Sequence, residues 1–368
     1  MGSDRGRGHT AGAPRDRDVT AWGWDERWAA SLRELAPDAR PARVTSQHRD
    51  RWIVETEDGP QAARLLTTAS AAAIPVTGDW VAGIPGPTET DPWSILRVLP
   101  RRSAVRRGSA GESRYDQVLA ANVDRLLIVQ ALDTPPNLRS LERYLAVCWE
   151  SEASPEIVLT KSDLSRALDE AIDRVRGVSF GVPLWVTSVT EPTSIEALRV
   201  SLKAGATVAL LGPSGAGKST LVNHLAESDL TRTAEVREVD RKGRHTTTAR
   251  ELFRIHNGAL LLDTPGMREL KVGALEEGLG RAFPDIEELA VDCRFRNCSH
   301  VAEPGCAVIR AVSEGRLGED RLRSYRKLEA EAAYERRRVD PRARAEQVAE
   351  HKTALKTLKY HPKHRRRD

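Results

Sequence analysis

Short apolar runs alternate with longer amphipathic stretches between residues 115 and 270. Five runs have the length of a buried strand, at 125–130, 156–159, 184–186, 207–211 and 259–262. Stretches of helix length lie between several of them, at 139–150, 164–176 and 218–227. Continuous apolar strands that alternate with helices predict a mostly parallel, doubly wound α/β sheet. Such a sheet binds ligands at the carboxyl ends of its strands.

The preceding segment, from about 41 to 108, has a different pattern. Strand-like runs at 51–56, 78–81 and 93–99 are broken by turn signals such as Asp58-Gly59. This spacing predicts a small β-barrel or sandwich, with the OB-fold as one candidate.

Arginines mark the exit of this β-rich segment, and tryptophans lie nearby. The arginines are Arg101, Arg102, Arg106 and Arg107. Positive charge beside aromatic rings is typical of a surface that binds nucleic acid. The alternative is that the tryptophans belong to the barrel core and the arginines are incidental.

The chain ends complete the predicted organisation of the 368 residues. Residues 1–20 lack periodicity and are predicted to be disordered. After Gly266, a loop-rich segment that contains the cysteines is followed by helix-rich sequence to about Tyr360. We predict four segments: an extension at 1–40, an OB-like barrel at 41–110, an α/β domain at 111–272, and a metal-binding helical domain with a basic tail at 273–368. We see no internal repeat.

Composition and charge restrict the class of protein. No apolar run approaches the ~18–20 residues of a membrane span, and the N-terminus has no apolar stretch. We therefore expect a cytoplasmic protein without a membrane or lipid anchor. The net charge of +4 hides an asymmetry, because residues 316–368 hold 17 Lys and Arg against 9 Asp and Glu. That excess indicates an anionic partner, or a solvated helical face with a basic tail.

A phosphate loop follows the run at 207–211. It consists of Gly212, Pro213, Ser214, Gly215, Ala216, Gly217, Lys218 and Ser219, with Thr220 next, and it fits G-x-x-x-x-G-K-[ST] at every fixed position. The glycines let backbone N–H groups surround phosphate oxygens at a helix N-terminus. Lys218 is expected to reach the β- and γ-phosphates, and the Ser219 hydroxyl to bind Mg²⁺.

Two further motifs follow strand-like runs. Asp263-Thr-Pro-Gly266 supplies a carboxylate that can hold Mg²⁺ through water and a backbone N–H at Gly266 that can meet the γ-phosphate. The second motif, Thr160-Lys161-Ser162-Asp163, is similar to the guanine-recognition motif N-K-x-D of GTPases, with Thr160 in the place of asparagine. A carboxylate at Asp163 can accept hydrogen bonds from the guanine ring N–H and amine, which adenine does not offer. Thr187-Ser188-Val189 lies where GTPases place another base-binding loop, although a plain turn after a strand explains it equally well.

The order of these motifs predicts a circular permutation. Ordinary GTPases have the phosphate loop first, whereas here the base motif precedes Gly212 and Asp263 follows it. Because chain termini usually lie close together on the surface, such a rearrangement is tolerated.

Three of the four cysteines cluster beside a histidine. Cys293, Cys298, His300 and Cys306 form a set sufficient for tetrahedral Zn²⁺, and four protein ligands predict a structural site. The alternative is three buried free thiols with an incidental histidine. Cys148 stands apart in an apolar stretch and is predicted to be core.

Together these features resemble one family, the ribosome small subunit-dependent GTPase A family. Supporting stretches are 75–81, 120–124, 243–248 and the cysteine–histidine cluster, and the resemblance extends from about residue 41 onward. It implies an OB-fold, a permuted P-loop GTPase domain and a zinc-binding domain, and a role in ribosome biogenesis. Thr160 is the main departure from the family pattern.

The residue that orients the attacking water is the least defined part of the site. Classical GTPases have a glutamine after D-x-x-G, but this chain has Met267. His245, in Gly243-Arg-His-Thr-Thr-Thr248, is the nearest candidate, and the resemblance indicates the same residue. A surface histidine or an RNA-binding one is the alternative, and Arg241 or Arg244 could instead stabilise γ-phosphate charge.

These motifs predict a monomeric GTP hydrolase that uses Mg²⁺ and contains one Zn²⁺. The family resemblance implies that it acts in late maturation of the small ribosomal subunit, binds the subunit and its rRNA in the GTP form, and is released upon hydrolysis. Turnover would be stimulated by that subunit. The alternative is an RNA-binding regulatory protein that senses GTP with little turnover of its own.

Overall fold

The computed structural model of the chain describes residues 19–34, 39–48, 51–66, 74–88, 91–107, 117–226, 250–263 and 277–340, together with positions 275, 342 and 345. Among these residues, the phosphate loop and the predicted base motif follow strands of one sheet.

Five strands near the N-terminus close into a barrel. They are β1 (Arg40–His48), β2 (Arg51–Thr56), β3 (Gly59–Leu65), β4 (Trp80–Ile84) and β5 (Trp93–Val98). β1 pairs with both β2 and β4, while β3 pairs in parallel with β5, so no strand of the barrel is left as an edge. Alternate side chains point inward, and Trp52, Val54 and Trp93 lie in its core. The predicted OB-like barrel is therefore confirmed.

Helix α1 (Glu26–Arg33) packs its aromatic face against the barrel. Asp25 caps its N-terminus by accepting a hydrogen bond from the backbone N–H of Arg27. The Trp24 and Trp80 rings meet edge to face at 4.7 Å, and Trp28 is buried beside them.

Two of the four exit arginines, Arg101 and Arg102, form ion pairs inside this assembly. Arg101 donates two hydrogen bonds, of 2.8 and 2.7 Å, to the fully buried carboxylate of Asp79. Arg102 pairs with Asp25, and its guanidinium lies 3.2 Å from the centroid of the Trp28 ring. Because the Asp79 carboxylate is buried, it needs a charged partner, and Arg101 therefore stabilises the fold. Arg102 and Asp25 are both partly exposed, so their ion pair contributes less.

A hairpin leads from the barrel into the central sheet. It consists of β6 (Ala104–Arg107) and β7 (Gln117–Ala121). The central sheet contains β8 (Arg125–Ala131), β9 (Ser154–Thr160), β10 (Leu184–Val186), β11 (Thr207–Leu211), β12 (Glu251–Arg254) and β13 (Leu260–Asp263). Its helices are α2 (Leu138–Glu150), α3 (Leu168–Ser179), α4 (Pro192–Ser201) and α5 (Lys218–Ala226).

The order of the central strands is β10-β9-β8-β11-β13-β12. The five predicted strands pair in parallel, and β12 pairs antiparallel with β13. The apolar pattern did not predict β12, because Leu252 is the single buried residue among its four. Cys148 on α2 is completely buried in the core, as predicted.

The barrel and the central sheet are joined by backbone and side-chain contacts. β1 pairs with β12 through Ser46 and Glu251, so the two sheets are continuous. Arg43 of β1 is buried and donates hydrogen bonds to the Asn122 carbonyl (3.2 Å) and the Thr207 hydroxyl (2.9 Å). Burial lowers the pKa of Arg43 to about 10, although the guanidinium keeps its charge at neutral pH.

Within the described residues, four helices follow the central sheet: α6 (Gly278–Ala282), α7 (Pro284–Ala290), α8 (Ala307–Ser313) and α9 (Glu319–Val339). They share one continuous hydrophobic core with α2. Arg321 of α9 is buried at this interface and donates to Glu142 of α2 (2.7 Å) and to Asp285 (2.9 Å). In the part of the chain that the structure describes, no helix is both long enough and apolar enough to cross a bilayer.

Candidate nucleotide site and metal centre

The phosphate loop joins the end of β11 to the start of α5, as the sequence predicts. Gly212 has φ +142°, and a Cβ there would lie 2.2 Å from the Val129 carbonyl oxygen on β8. Gly215 and Gly217 also have positive φ, at +79° and +87°. Only glycine adopts this series of conformations without strain, so the backbone can curve around a phosphate.

Lys218 lies across the loop from the first turn of α5. Its ammonium donates to the carbonyl oxygens of Gly212 (2.6 Å) and Pro213 (2.5 Å). The side chain is therefore held over the loop where a phosphate oxygen would meet it. Ser214, Ser219 and Thr220 are exposed on the same loop and turn, so their hydroxyls are accessible to a ligand.

A cavity of about 270 Å³ adjoins the loop and contains the predicted base motif. It brings together three segments that are distant in sequence: 160–164 after β9, 187–189 after β10, and 217–221 at the start of α5. The walls include the apolar side chains of Leu164, Val189 and Ile195, which suit the faces of a planar base. The carboxyl ends of neighbouring parallel strands thus assemble the site, as the fold predicts.

Asp163 lines this cavity and is oriented by the loop after β10. The Ser188 hydroxyl donates a hydrogen bond to the Asp163 carboxylate. Ser188 is itself fixed, since its backbone N–H donates to the Ser194 hydroxyl at 3.1 Å. The two adjoining loops predicted from sequence are therefore in direct contact. Sequence reasoning placed 187–189 at the site, but it did not assign this role to Ser188.

Thr160 connects the base motif to the phosphate loop. Its side chain is buried at the end of β9, and its hydroxyl donates a 2.7 Å hydrogen bond to the Ala216 carbonyl oxygen. The Thr160 hydroxyl also lies 3.3 Å from the position that a Cβ on Gly217 would take. Thr160, which replaces the asparagine of the GTPase motif, therefore forms a hydrogen bond with the backbone of the phosphate loop.

Lys161 adopts a left-handed conformation, with φ 56°, beside the cavity. Its ammonium forms an ion pair of 2.6 Å with Asp133, which follows β8. This pair directs the Lys161 side chain along one wall of the cavity. Asp133 was missed by sequence reasoning, because no motif links the end of β8 to the base loop.

The remaining predicted nucleotide residues are only partly described. Asp263 ends β13, which pairs in parallel with β11, so its backbone lies at the same edge of the sheet as the phosphate loop. Gly266, Met267 and the segment with His245 lie outside the described residues.

The four predicted metal ligands converge in the loop between α7 and α8. Their ligand atoms all lie within 4.8 Å of one another. The Cys306 sulfur is 3.4 Å from His300 Nδ1 and 3.8 Å from the Cys293 sulfur. Three thiols and an imidazole at these separations fit a single tetrahedral metal ion. Burial lowers the pKa of His300, which favours the neutral imidazole that binds metals.

Glu303 holds the turn between Cys298 and Cys306. Its carboxylate accepts hydrogen bonds from the backbone N–H groups of Ser299 (2.9 Å), Val301 (2.9 Å) and Ala302 (3.1 Å). The Ser299 hydroxyl donates as well, and these hydrogen bonds hold the pKa of Glu303 well below its usual range. The sequence did not predict this role for Glu303, because no motif distinguishes a single glutamate between two metal ligands.

Comparison with known proteins agrees with this geometry. The family model of the RsgA GTPase matches residues 98–273, which contain the hairpin and the central sheet. A protein from Opitutus terrae, named small ribosomal subunit biogenesis GTPase RsgA, is 43% identical over 343 residues, which are 89% of this chain and 94% of that protein. The chain belongs to the RsgA GTPase family.

Solved structures extend the RsgA comparison to the fold. The crystal structure of YjeQ from Thermotoga maritima is 27% identical, with a TM-score of 0.61, and covers 80% of this chain and 98% of its own. The structure of YloQ, described as a circularly permuted GTPase, is 23% identical with a TM-score of 0.57, and covers 80% and 95%. The predicted permutation and the family resemblance are thus confirmed, and the chain is a ribosome-biogenesis GTPase of the RsgA family with a group of residues that could hold a metal ion.

Proposed function

We propose that the chain hydrolyses GTP during late maturation of the small ribosomal subunit. The observation that carries this proposal is the Asp163 carboxylate, which lines a cavity adjoining the phosphate loop and is oriented there by Ser188. A carboxylate in this place favours guanine over adenine. The relatives are named small ribosomal subunit biogenesis GTPase RsgA, and these names indicate ribosome biogenesis as the process.

The phosphate loop would hold the triphosphate. Backbone N–H groups of 212–220 would surround its oxygens, and Lys218 would exchange its two carbonyl partners for β- and γ-phosphate oxygens. Ser219 and Asp263 would bind Mg²⁺, directly and through water respectively, and Gly266 would meet the γ-phosphate. Mg²⁺ would neutralise the phosphate charge. Thr160, Lys161, Ser162 and Asp163 would hold the base.

His245 is our candidate for orienting the attacking water, since Met267 cannot do so. This assignment depends on the sequence and the family resemblance. A water-orienting group contributes to the chemical step and little to nucleotide affinity.

Cys293, Cys298, His300 and Cys306 would hold one structural Zn²⁺. Because all four positions of a tetrahedral ion would be taken by protein, no position remains for a reacting water. The metal would fix the loop between α7 and α8.

The remaining proposals concern the partner and the organisation of the chain. The GTP form would bind the small subunit and its rRNA, the subunit would stimulate hydrolysis, and hydrolysis would release the protein. We propose a monomer in the cytoplasm. The segments 1–40, 41–110, 111–272 and 273–368 remain our proposed division of the chain.

Turnover assays test the proposal. The protein is given GTP, ATP or xanthosine triphosphate, either without ribosomal subunits or with purified small or large subunits. We expect GTP to be preferred and its turnover to rise with small subunits only. Binding of GTP and small subunits without turnover would favour a regulatory protein that senses GTP. A preference for ATP would overturn the guanine assignment.

A further inference from the structure

Lys161 is fixed both at its backbone and at the tip of its side chain. Its carbonyl oxygen accepts a 3.0 Å hydrogen bond from the Leu164 N–H, and the next residue, Ser162, donates its N–H to the Thr187 carbonyl oxygen at 3.3 Å. At the other end, the Lys161 ammonium lies 2.6 Å from a carboxylate oxygen of Asp133. Because a free lysine side chain samples many rotamers, this ion pair selects one arrangement before any nucleotide arrives.

Asp133 is held in place by the backbone that follows β8. Ala131 pairs with Thr160 in the parallel ladder of β8 and β9, and the N–H of the buried Leu132 donates to the Thr160 carbonyl oxygen at 2.9 Å. The ladder thus brings Asp133 beside Lys161, although 28 positions separate them in sequence. Asp133 is not among the described residues that line the base cavity, so any effect it has on a bound base is transmitted through Lys161.

The wall of the base cavity contains one group of each charge. Among the described residues that line it, Lys161 is the cation and Asp163 is the anion. Opposite charges two residues apart attract, and an ammonium on the Asp163 carboxylate would compete with the N–H groups of guanine for the same oxygens. In the structure the two groups have separate partners, since Asp133 pairs with Lys161 and the Ser188 hydroxyl donates to Asp163. The Asp163 carboxylate therefore keeps acceptor positions for a base.

We propose that Asp133 is a positioning residue for guanine recognition, which holds the Lys161 side chain along the wall of the base cavity and away from Asp163. This role rests on the proposed function, in which the base of GTP enters this cavity. The Asp133 and Lys161 side chains are 40% and 34% exposed, so dissolved salt screens their attraction. The contribution of Asp133 is therefore greatest at low salt.

The experiment measures GTP affinity of the full chain by competition with a fluorescent analogue, together with kcat at saturating GTP. The variants are Asp133→Asn, which keeps the shape of the side chain and removes its charge, Lys161→Met, and the two combined. Asp133→Glu tests whether a carboxylate of different length restores binding. Asp173→Asn, on the exposed face of α3, removes the same charge away from the cavity and is the matched control. Thermal melting checks folding.

We expect Asp133→Asn to weaken GTP binding about fivefold at low salt and less than about twofold at about 1 M salt. Its kcat should stay within about twofold of wild type, because Asp133 does not contact the reacting phosphates and affects only binding. In the Lys161→Met background, Asp133→Asn should cause no further loss. Asp133→Glu should recover most of the affinity, and Asp173→Asn should bind GTP as the wild type does.

Equal losses in Asp133→Asn and Asp173→Asn would mean that only net charge matters and would overturn the proposal. A loss that persists in the Lys161→Met background would also overturn it, since Asp133 would then act through another group. If Lys161→Met and Asp163→Asn both bind GTP as the wild type does, the cavity does not hold the base and the proposed function fails as well. If only Asp133→Asn is without effect, the proposed function stands and Asp133 does not position Lys161 for it.

Discussion

The Thr160 hydroxyl donates a 2.7 Å hydrogen bond to the carbonyl oxygen of Ala216. This bond joins the base-recognition motif at the end of β9 to the backbone of the phosphate loop at the end of β11. The two halves of the nucleotide site are thereby held in one arrangement, although 160 and 216 are far apart in sequence.

Replacement of Thr160 by valine should weaken GTP binding. Valine keeps the shape but leaves the Ala216 carbonyl without this donor, and loss of a buried hydrogen bond costs about 1–2 kcal/mol. We expect a decrease in affinity of about 5- to 30-fold, measured with a fluorescent GTP analogue. Thr160→Ser keeps the hydroxyl and is the control. Equal affinities for the valine and serine variants would show that the bond does not support the site.

Replacement of Asp163 by asparagine should shift the preference of the site from guanosine toward xanthosine nucleotides. The amide places a donor where the guanine N–H requires an acceptor. Competition between GTP and xanthosine triphosphate measures the shift. Ser188→Ala should lower the affinity for both nucleotides without reversing the preference, because it removes only the group that orients Asp163. An unchanged GTP preference in the asparagine variant would remove Asp163 from base recognition.

Lys218→Ala and His245→Ala should separate binding from chemistry. Loss of the Lys218 ammonium should abolish turnover, since it removes charge from the β- and γ-phosphates. His245→Ala should lower kcat by about 100-fold or more with little change in GTP affinity. Single-turnover rates with small subunits present are the measurement. Wild-type kcat in the His245 variant would exclude it as the water-orienting residue.

Removal of a cysteine from the proposed zinc site should lower the zinc content of the protein and destabilise the C-terminal helices. Cys306 is buried, and its sulfur accepts a hydrogen bond from the Ile309 N–H at the start of α8, so Cys306→Ala removes both a ligand and a cap. Metal analysis should find about one zinc per wild-type chain and less in this variant, which should also melt at lower temperature. Cys148→Ala is the control, because Cys148 lies in the core of the central sheet. Full zinc content without Cys306 would contradict the proposed set.

Arg321→Met should destabilise the contact between α9 and α2. It leaves the Glu142 carboxylate, which is only 2% exposed, without its charged partner. Breaking a buried pair costs about 3–5 kcal/mol. The double variant Arg321→Met, Glu142→Leu should recover much of that loss. Chemical unfolding of the wild type, of Arg321→Met and Glu142→Leu alone, and of the double variant completes the cycle, and additive losses would show that the two charges do not interact.

The parts that sequence predicted well are those encoded by local patterns. The run at 207–211, the glycines after it and the spacing of Cys293 to Cys306 each specify their structure within about fifteen residues. The same holds for the barrel, whose alternating strands fix which side chains point inward.

Long-range partners were not predictable in this way. Arg101 looked available for nucleic acid, and only the fold places the buried Asp79 beside it. Similarly, the bond from Thr160 to Ala216 arises because β9 and β11 both flank β8. The pattern of hydrophobic and polar residues along the sequence shows where strands end, but not which side chains meet across neighbouring strands.

The pairing of Ser46 on β1 with Glu251 on β12 has a consequence for dividing the chain. A fragment that begins after the barrel would present β12 as an unprotected sheet edge and would lose the buried Arg43 from its contact with Thr207. Exposed strand edges recruit other strands. The central sheet expressed alone should therefore self-associate, because the barrel strand β1 covers the edge of β12 in the intact chain.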